Sequence, residues 1–380
     1  MGQNMIDISD EIIDWAINKV SNNDTLASRL KKWKTTHKVW FEDVKLMSNQ
    51  TKIPLGYFFL KIPPEKELDV LNFKTVGGKN LKDFSQNLAD TISDMECLQE
   101  WMKDYLISQN HGKLDFVCSL KDETNIEKIA DKIRERLGIK IDWYTENKNP
   151  WESFKKIRHK LENIGIITMM SGVVRQNNHK KLPIEEFRAF TLIDEYAPLI
   201  FINSNDSYGE RLFSILYEAV HIWLGCYDFF NHRKIDVHWF KKEEKICYNA
   251  CIEILVPNEI FIKKWLENSK EDIEDKIYDL ANIFRCSNIA ICRKALNNKF
   301  VDYKFFKDFI HSQLDGEENA KKASGGHYYN IIKTRIDNRL LLALDNSIKE
   351  GKTTYDDLYK FTSLKEESFK KLMEKVKEDI

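Results

Sequence analysis

Only 14 glycines and 7 prolines interrupt 380 residues, so few positions can end a helix. Chains on average carry about 7% glycine and about 5% proline. A mainly helical fold follows, with strands confined to short stretches. Residues 9–20, SDEIIDWAINKV, open on a capping serine and two acids, then set Ile12, Ile13, Ala16 and Ile17 at helical spacing. Further helices are predicted over 25–34, 40–51, 80–108, 124–137, 151–165 and 243–257, and through the tail after Gly325-Gly326. Pro54 and Pro63-Pro64 punctuate a segment predicted as extended. IITMMSG (166–172) and FRAFTLIDEYAPLIFINS (187–204) are rich in β-branched and aromatic residues and read as strands.

The 22 Phe, 14 Tyr and 9 Trp can build sizeable cores, which excludes a disordered chain. With 59 Lys+Arg against 60 Asp+Glu, a globally basic nucleic-acid binder is excluded, though a local basic patch is not. Seven cysteines without a C-x-x-C pattern read as free thiols in a cytoplasmic protein. No stretch approaches the 18 apolar residues of a membrane span, and MGQNMIDISDEIIDWA lacks a signal-peptide pattern.

LYEAVHIWLG (216–225) carries the chemistry. Zinc hydrolases often bear His-Glu-x-x-His on a helix, where positions i and i+4 share one face. Here the frame reads Tyr217-Glu218-Ala219-Val220-His221. A catalytic zinc needs three protein ligands and one open position for water. Glu244, near the start of the following predicted helix, is an available third ligand.

The run EEFRAFTLIDEYAPLIFINSNDSYGERLFSILYEAVHIWLG (185–225), followed by EEKICYNACIEILVP (243–257), resembles the ImmA/IrrE metallopeptidase family. IPLGYFFLKIPP, ASGGHYYN and TTYDDLYKFTSLKEESFKKL resemble its longer branch, in which a xenobiotic-response-element (XRE)-type helix-turn-helix precedes the peptidase. The resemblance implies a mainly α fold with a small α+β zincin-like metallopeptidase domain, an N-terminal helical helix-turn-helix-like module and a C-terminal helical tail. It divides the chain into a degenerate module (1–75), a helical connector (76–150), the peptidase-like domain (151–315) and a C-terminal segment (316–380). It implies a zinc ion held by His221 and Glu244, Glu218 as general base, and Tyr217 where the first histidine ligand belongs. The expected partner is a repressor-like protein, in a regulator of a prophage or other mobile element.

Tyr217 leaves two outcomes open. A phenol must lose a proton of pKa near 10 to bind zinc well, and its oxygen lies farther from the backbone than the imidazole nitrogens. Either the site still binds zinc and hydrolyses a peptide bond, or the domain is a non-enzymatic pseudo-peptidase that regulates by binding; a toxin or defence role also stays open. Cys247, Cys251, His232 and His238 are substitute ligands to consider, although packing thiols and loop histidines are the plainer reading. Arg188 and Asp194 flank the predicted strands as structural pairs or a substrate edge, and His327 follows the double glycine. RLKKWKTTHK (29–38) puts Lys31, Lys32 and Lys34 in a basic run that can hold DNA phosphates or form a solvated helix face. The space around Trp33 is short for two helices and a turn, so a recognition helix is expected to be truncated or fused to its neighbour.

Overall fold

Helices account for most of the chain in the computed structural model, which describes residues 5–20, 24–36, 38–51, 53, 55–60, 62–63, 85–226, 242–317, 332 and 334–378. His232, His238, His327 and the expected boundary at 75 lie outside them.

The N-terminal unit contains β1 (Met5–Asp7), α1 (Asp10–Lys19), α2 (Asp24–Thr36), β2 (Lys38–Trp40) and α3 (Phe41–Thr51). Ser9 caps α1 by accepting the Ile12 N–H. β1 and β2 pair antiparallel, so a strand joins α2 to α3 where a helix-turn-helix has a short turn. The segment expected as extended winds instead into a 3-10 turn over Leu55–Phe59. Burial decides it: Tyr57 packs edge-on to Trp15 at 5.7 Å and Phe58 to Trp33 at 5.9 Å. Winding puts both rings inward together, which an alternating strand cannot do.

The larger body begins with α4 (Gln86–Ser108), capped by Ser85. α5 (Ile126–Leu137) and α6 (Pro150–Ile164) follow, each ending on a left-handed glycine. The chain continues through β3 (Ile167–Ser171), β4 (Ala189–Leu192), β5 (Leu199–Asn203), α7 (Tyr208–Leu224) and α8 (Lys242–Leu255). Next come α9 (Asn258–Glu267), α10 (Ile273–Phe284), α11 (Asn288–Asn297) and α12 (Tyr303–Glu317). The tail forms α13 (Asn338–Lys349), α14 (Tyr355–Thr362) and α15 (Glu366–Glu378).

Strand order is β3-β5-β4, with β3 parallel and β4 antiparallel to β5. The predicted strand over 187–204 splits because the Asp194 carboxylate accepts the N–H groups of Tyr196 at 2.8 Å and Ala197 at 3.0 Å, closing a turn. Both sheet faces are buried. Met170, Ala189, Ile200 and Ile202 enter a core shared with α5 to α12. Met169, Phe190, Leu199 and Phe201 enter a second core shared with α4 and the tail helices. The tail is tied to the sheet where Asp337, the cap of α13, accepts the Thr168 N–H at 3.0 Å. The fold is therefore mainly α with a small α+β unit at its centre, and α7 lies against the sheet inside the first core. Among the described residues no helix is long and apolar enough to cross a membrane.

Candidate functional site

α7 begins at Ser207, whose side chain accepts the Glu210 N–H, and ends at Gly225 in the left-handed conformation (φ 66°). Glycine is required there twice over. The φ is unfavourable for a side chain, and a Cβ would stand 2.9 Å from the Cys118 sulfur. The helix is apolar nearly all round, as a helix surrounded by protein must be, so its few polar residues are buried with it.

Near its N-terminal end the Arg188 guanidinium donates to both Asp206 carboxylate oxygens at 2.8 Å and to Glu210 at 3.3 Å. All three are buried, so Arg188 is a structural anchor for the start of α7. Asp194 is likewise structural, paired with Lys103 at 2.6 Å.

Two turns on, Tyr217, Glu218 and His221 are all fully buried. The i,i+4 spacing sets the Tyr217 and His221 rings edge-on at 4.6 Å, as expected. Phe213 stacks on Tyr217 from the preceding turn at 5.8 Å, and Tyr248 of α8 meets it edge-on at 6.3 Å. The Tyr217 hydroxyl donates a short hydrogen bond to Glu244 Oε2 at the start of α8. Burial first, and then the Glu244 charge, raise the Tyr217 pKa well above the usual phenol value. The phenol thus keeps its proton and shares it with the carboxylate only as a hydrogen bond.

His221 is held differently. Its Nδ1 lies 3.0 Å from the Cys226 carbonyl oxygen, which can only accept, so Nδ1 carries the hydrogen. Burial lowers its pKa and keeps the ring neutral. Nε2 then offers a lone pair, and among the described residues it has no hydrogen-bond partner. That is how a metal-binding histidine is oriented by its outer contacts. The Cys247 sulfur lies 3.9 Å from the same Nδ1. Interaction with Cys247 lowers the Cys226 pKa, while interaction with Cys226 and burial raise that of Cys247.

The donor set fits zinc incompletely. His221 is presented as a ligand, but Tyr217 and Glu244 satisfy each other through the phenolic proton. Among the described residues no three His, Cys, Asp or Glu side chains converge to hold a metal ion. Cys247 approaches His221 from the Nδ1 side, away from Nε2, and Cys251 donates to the Phe213 carbonyl at 3.5 Å, so neither thiol replaces the missing histidine. The Cys226 carbonyl was not foreseen in the sequence, where Cys226 reads only as one of seven scattered cysteines.

The basic run lies far from these residues in the chain, on α2. Lys31 and Lys32 are exposed, whereas Lys34 pairs with Asp14 of α1 at 2.7 Å.

No curated protein matches the chain. Residues 175–296, which hold β4, β5 and α7 to α11, match the Peptidase M78 family model, described as an IrrE N-terminal-like domain, so the site sits within a segment similar to that family.

Proposed function

We propose that this protein is a regulator of the ImmA/IrrE type whose metallopeptidase-like domain binds a partner protein without hydrolysing it. The observation that carries this reading is the hydrogen bond from the buried Tyr217 hydroxyl to Glu244. Zinc-dependent hydrolysis needs both positions as lone-pair donors and an open coordination site for water. Here the phenolic proton lies between them, in surroundings that raise its pKa. Without a metal-activated water, Glu218 has nothing to deprotonate. The expected partner is a repressor-like protein of a mobile element, with the N-terminal module as a second contact, to DNA.

A second reading, an active zinc peptidase with Tyr217 as phenolate ligand, is favoured by one observation: His221 already presents Nε2 in the tautomer a metal requires. Zinc, when bound, would polarise a carbonyl and acidify a water.

Elemental analysis of the purified chain separates the two. Wild type and His221→Ala should carry far less than one zinc per chain after incubation with excess metal. Tyr217→His, which restores both motif histidines, should approach one. Stoichiometric zinc in the wild type that is lost in His221→Ala would overturn the non-hydrolytic reading.

A further inference from the structure

A cleft opens where β3 ends, between α4, the turn over Val174–Gln176 and the end of α14. It takes up about 590 Å³ including its mouth, with about 70 Å³ of interior in which a water-sized atom can centre, so it suits a ligand of one ring rather than a large one. Met95, Met169, Phe201, Ile336 and Phe361 give it apolar walls. Its charged residues are Asp94, Arg175, Arg335 and Lys360, three cations against one carboxylate. Arg175 Nε donates to Asp94 at 2.6 Å, so that pair is internally balanced. Lys360 is exposed, with its ammonium 5.9 Å from the centre of the Phe361 ring.

The backbone around the cleft is strained. Arg175 (φ 47°) and Gln176 (φ 61°) are consecutive left-handed residues, and Ser363 (φ 58°), just past α14, is a third. Side chains disfavour that region, and such strain persists where the surroundings over-determine it, often at ligand sites. Here Asp94 fixes Arg175, and Gln176 Nε2 donates to the Thr362 carbonyl at 3.0 Å. The C-terminal end of a parallel strand is also where open α/β sheets take their ligands, and β3 runs parallel to β5. We propose that this cleft binds a small aromatic carboxylate. The ring enters between the Met95 and Met169 thioethers and the Phe201 and Phe361 rings, surfaces that suit an aromatic ligand. The carboxylate stays at the mouth, where the Lys360 ammonium makes a charge-assisted hydrogen bond to it.

Two walls of the cleft also carry the N-terminal unit. On α4, Thr91, Asp94 and Met95 line the cleft, whereas Ser93 meets Gly56, where a Cβ would stand 2.9 Å from the Ser93 hydroxyl oxygen. On α14, the Lys360 ammonium lies 5.7 Å from the centre of the Phe59 ring. A carboxylate that draws Lys360 inward bears on its contact with Phe59, so the cleft is placed to act as an effector site. This inference does not depend on whether the domain binds zinc or cleaves a substrate.

The test titrates benzoate into the full chain by isothermal calorimetry, with hydrogen exchange to place the site. One site per chain is expected, with no heat from benzylamine and weaker binding of hexanoate. Exchange should slow in α4 and α14. Ile336→Phe fills the cleft and should abolish binding. Because Ile336 is buried, Lys360→Glu is the second variant; at an exposed position it should leave the unfolding midpoint unchanged and weaken benzoate about tenfold, as the loss of one charge-assisted hydrogen bond does. No heat from the wild type at millimolar benzoate, benzylamine or hexanoate binding as tightly as benzoate, slowed exchange confined to α7 and α8, or an affinity unchanged in Lys360→Glu would each overturn the proposal.

Discussion

α7 and α2 both carry short polar patterns that stand out in the sequence, and folding treats them in opposite ways. On α7, Glu210, Tyr217 and His221 are buried and held by named partners: Arg188, Glu244 and the Cys226 carbonyl. On α2, Lys31 and Lys32 face solvent, whereas Lys34 pairs with Asp14. A buried polar atom must be bonded or its desolvation is uncompensated, so the fold constrains it strongly. An exposed lysine is satisfied by water in many positions. Substitutions of these α7 residues should therefore register in stability, and those of Lys31 and Lys32 only in binding.

The largest effect should come from Arg188→Met. It leaves the buried Asp206 and Glu210 carboxylates without their guanidinium. Removing one partner of a buried ion pair costs about 3–5 kcal/mol. Denaturant unfolding at neutral pH, followed through the tryptophans, would show it. A wild-type midpoint would mean that the start of α7 is hydrated in solution, and the contrast with α2 would lose its main support.

Tyr217→Phe comes next and removes the donor to Glu244 while keeping the ring among Phe213, His221 and Tyr248. Because Glu244 is only half-buried and can take up water, the loss should sit near the lower end for a charged hydrogen bond, about 1–2 kcal/mol. The effect has a pH signature. The folded pKa of Tyr217 is raised above its ordinary 10.0, so the unfolded phenol ionises first. The native state then holds more protons, and stability present below pH 10 is lost as pH rises through that range. Tyr217→Phe should remove this alkaline loss. An equal alkaline slope in both proteins would show that Tyr217 ionises freely and does not hold its proton against Glu244.

Much of this was legible beforehand, for identifiable reasons. Ser207, Gly225 and the i,i+4 pair are local signals, and each fixes a piece of backbone within a turn or two, so α7 and the Tyr217–His221 contact could be read directly. The Leu55–Phe59 turn could not, because its form is set by Trp15 and Trp33 far back in the chain. Glu244 was found as a candidate ligand, but its bond to Tyr217 depends on how α7 and α8 approach.

The smallest effects belong to α2, and they sharpen the comparison by sign. If this helix meets DNA phosphates, Lys31 and Lys32 are the exposed cations, whereas Lys34 is committed to Asp14, whose hydrogen bond raises the Lys34 pKa. Each phosphate contact contributes about 0.9 to the slope of log affinity against log salt. The double variant Lys31→Gln/Lys32→Gln should therefore flatten that slope by about 2 in a duplex-DNA titration, with an unfolding midpoint unchanged from wild type. Lys34→Gln should leave the slope alone and loosen only the α1–α2 contact. A slope that responds equally to all three lysines would mean that the Asp14 pair opens on binding; no response from any would leave α2 as a solvated face and remove DNA from its partners.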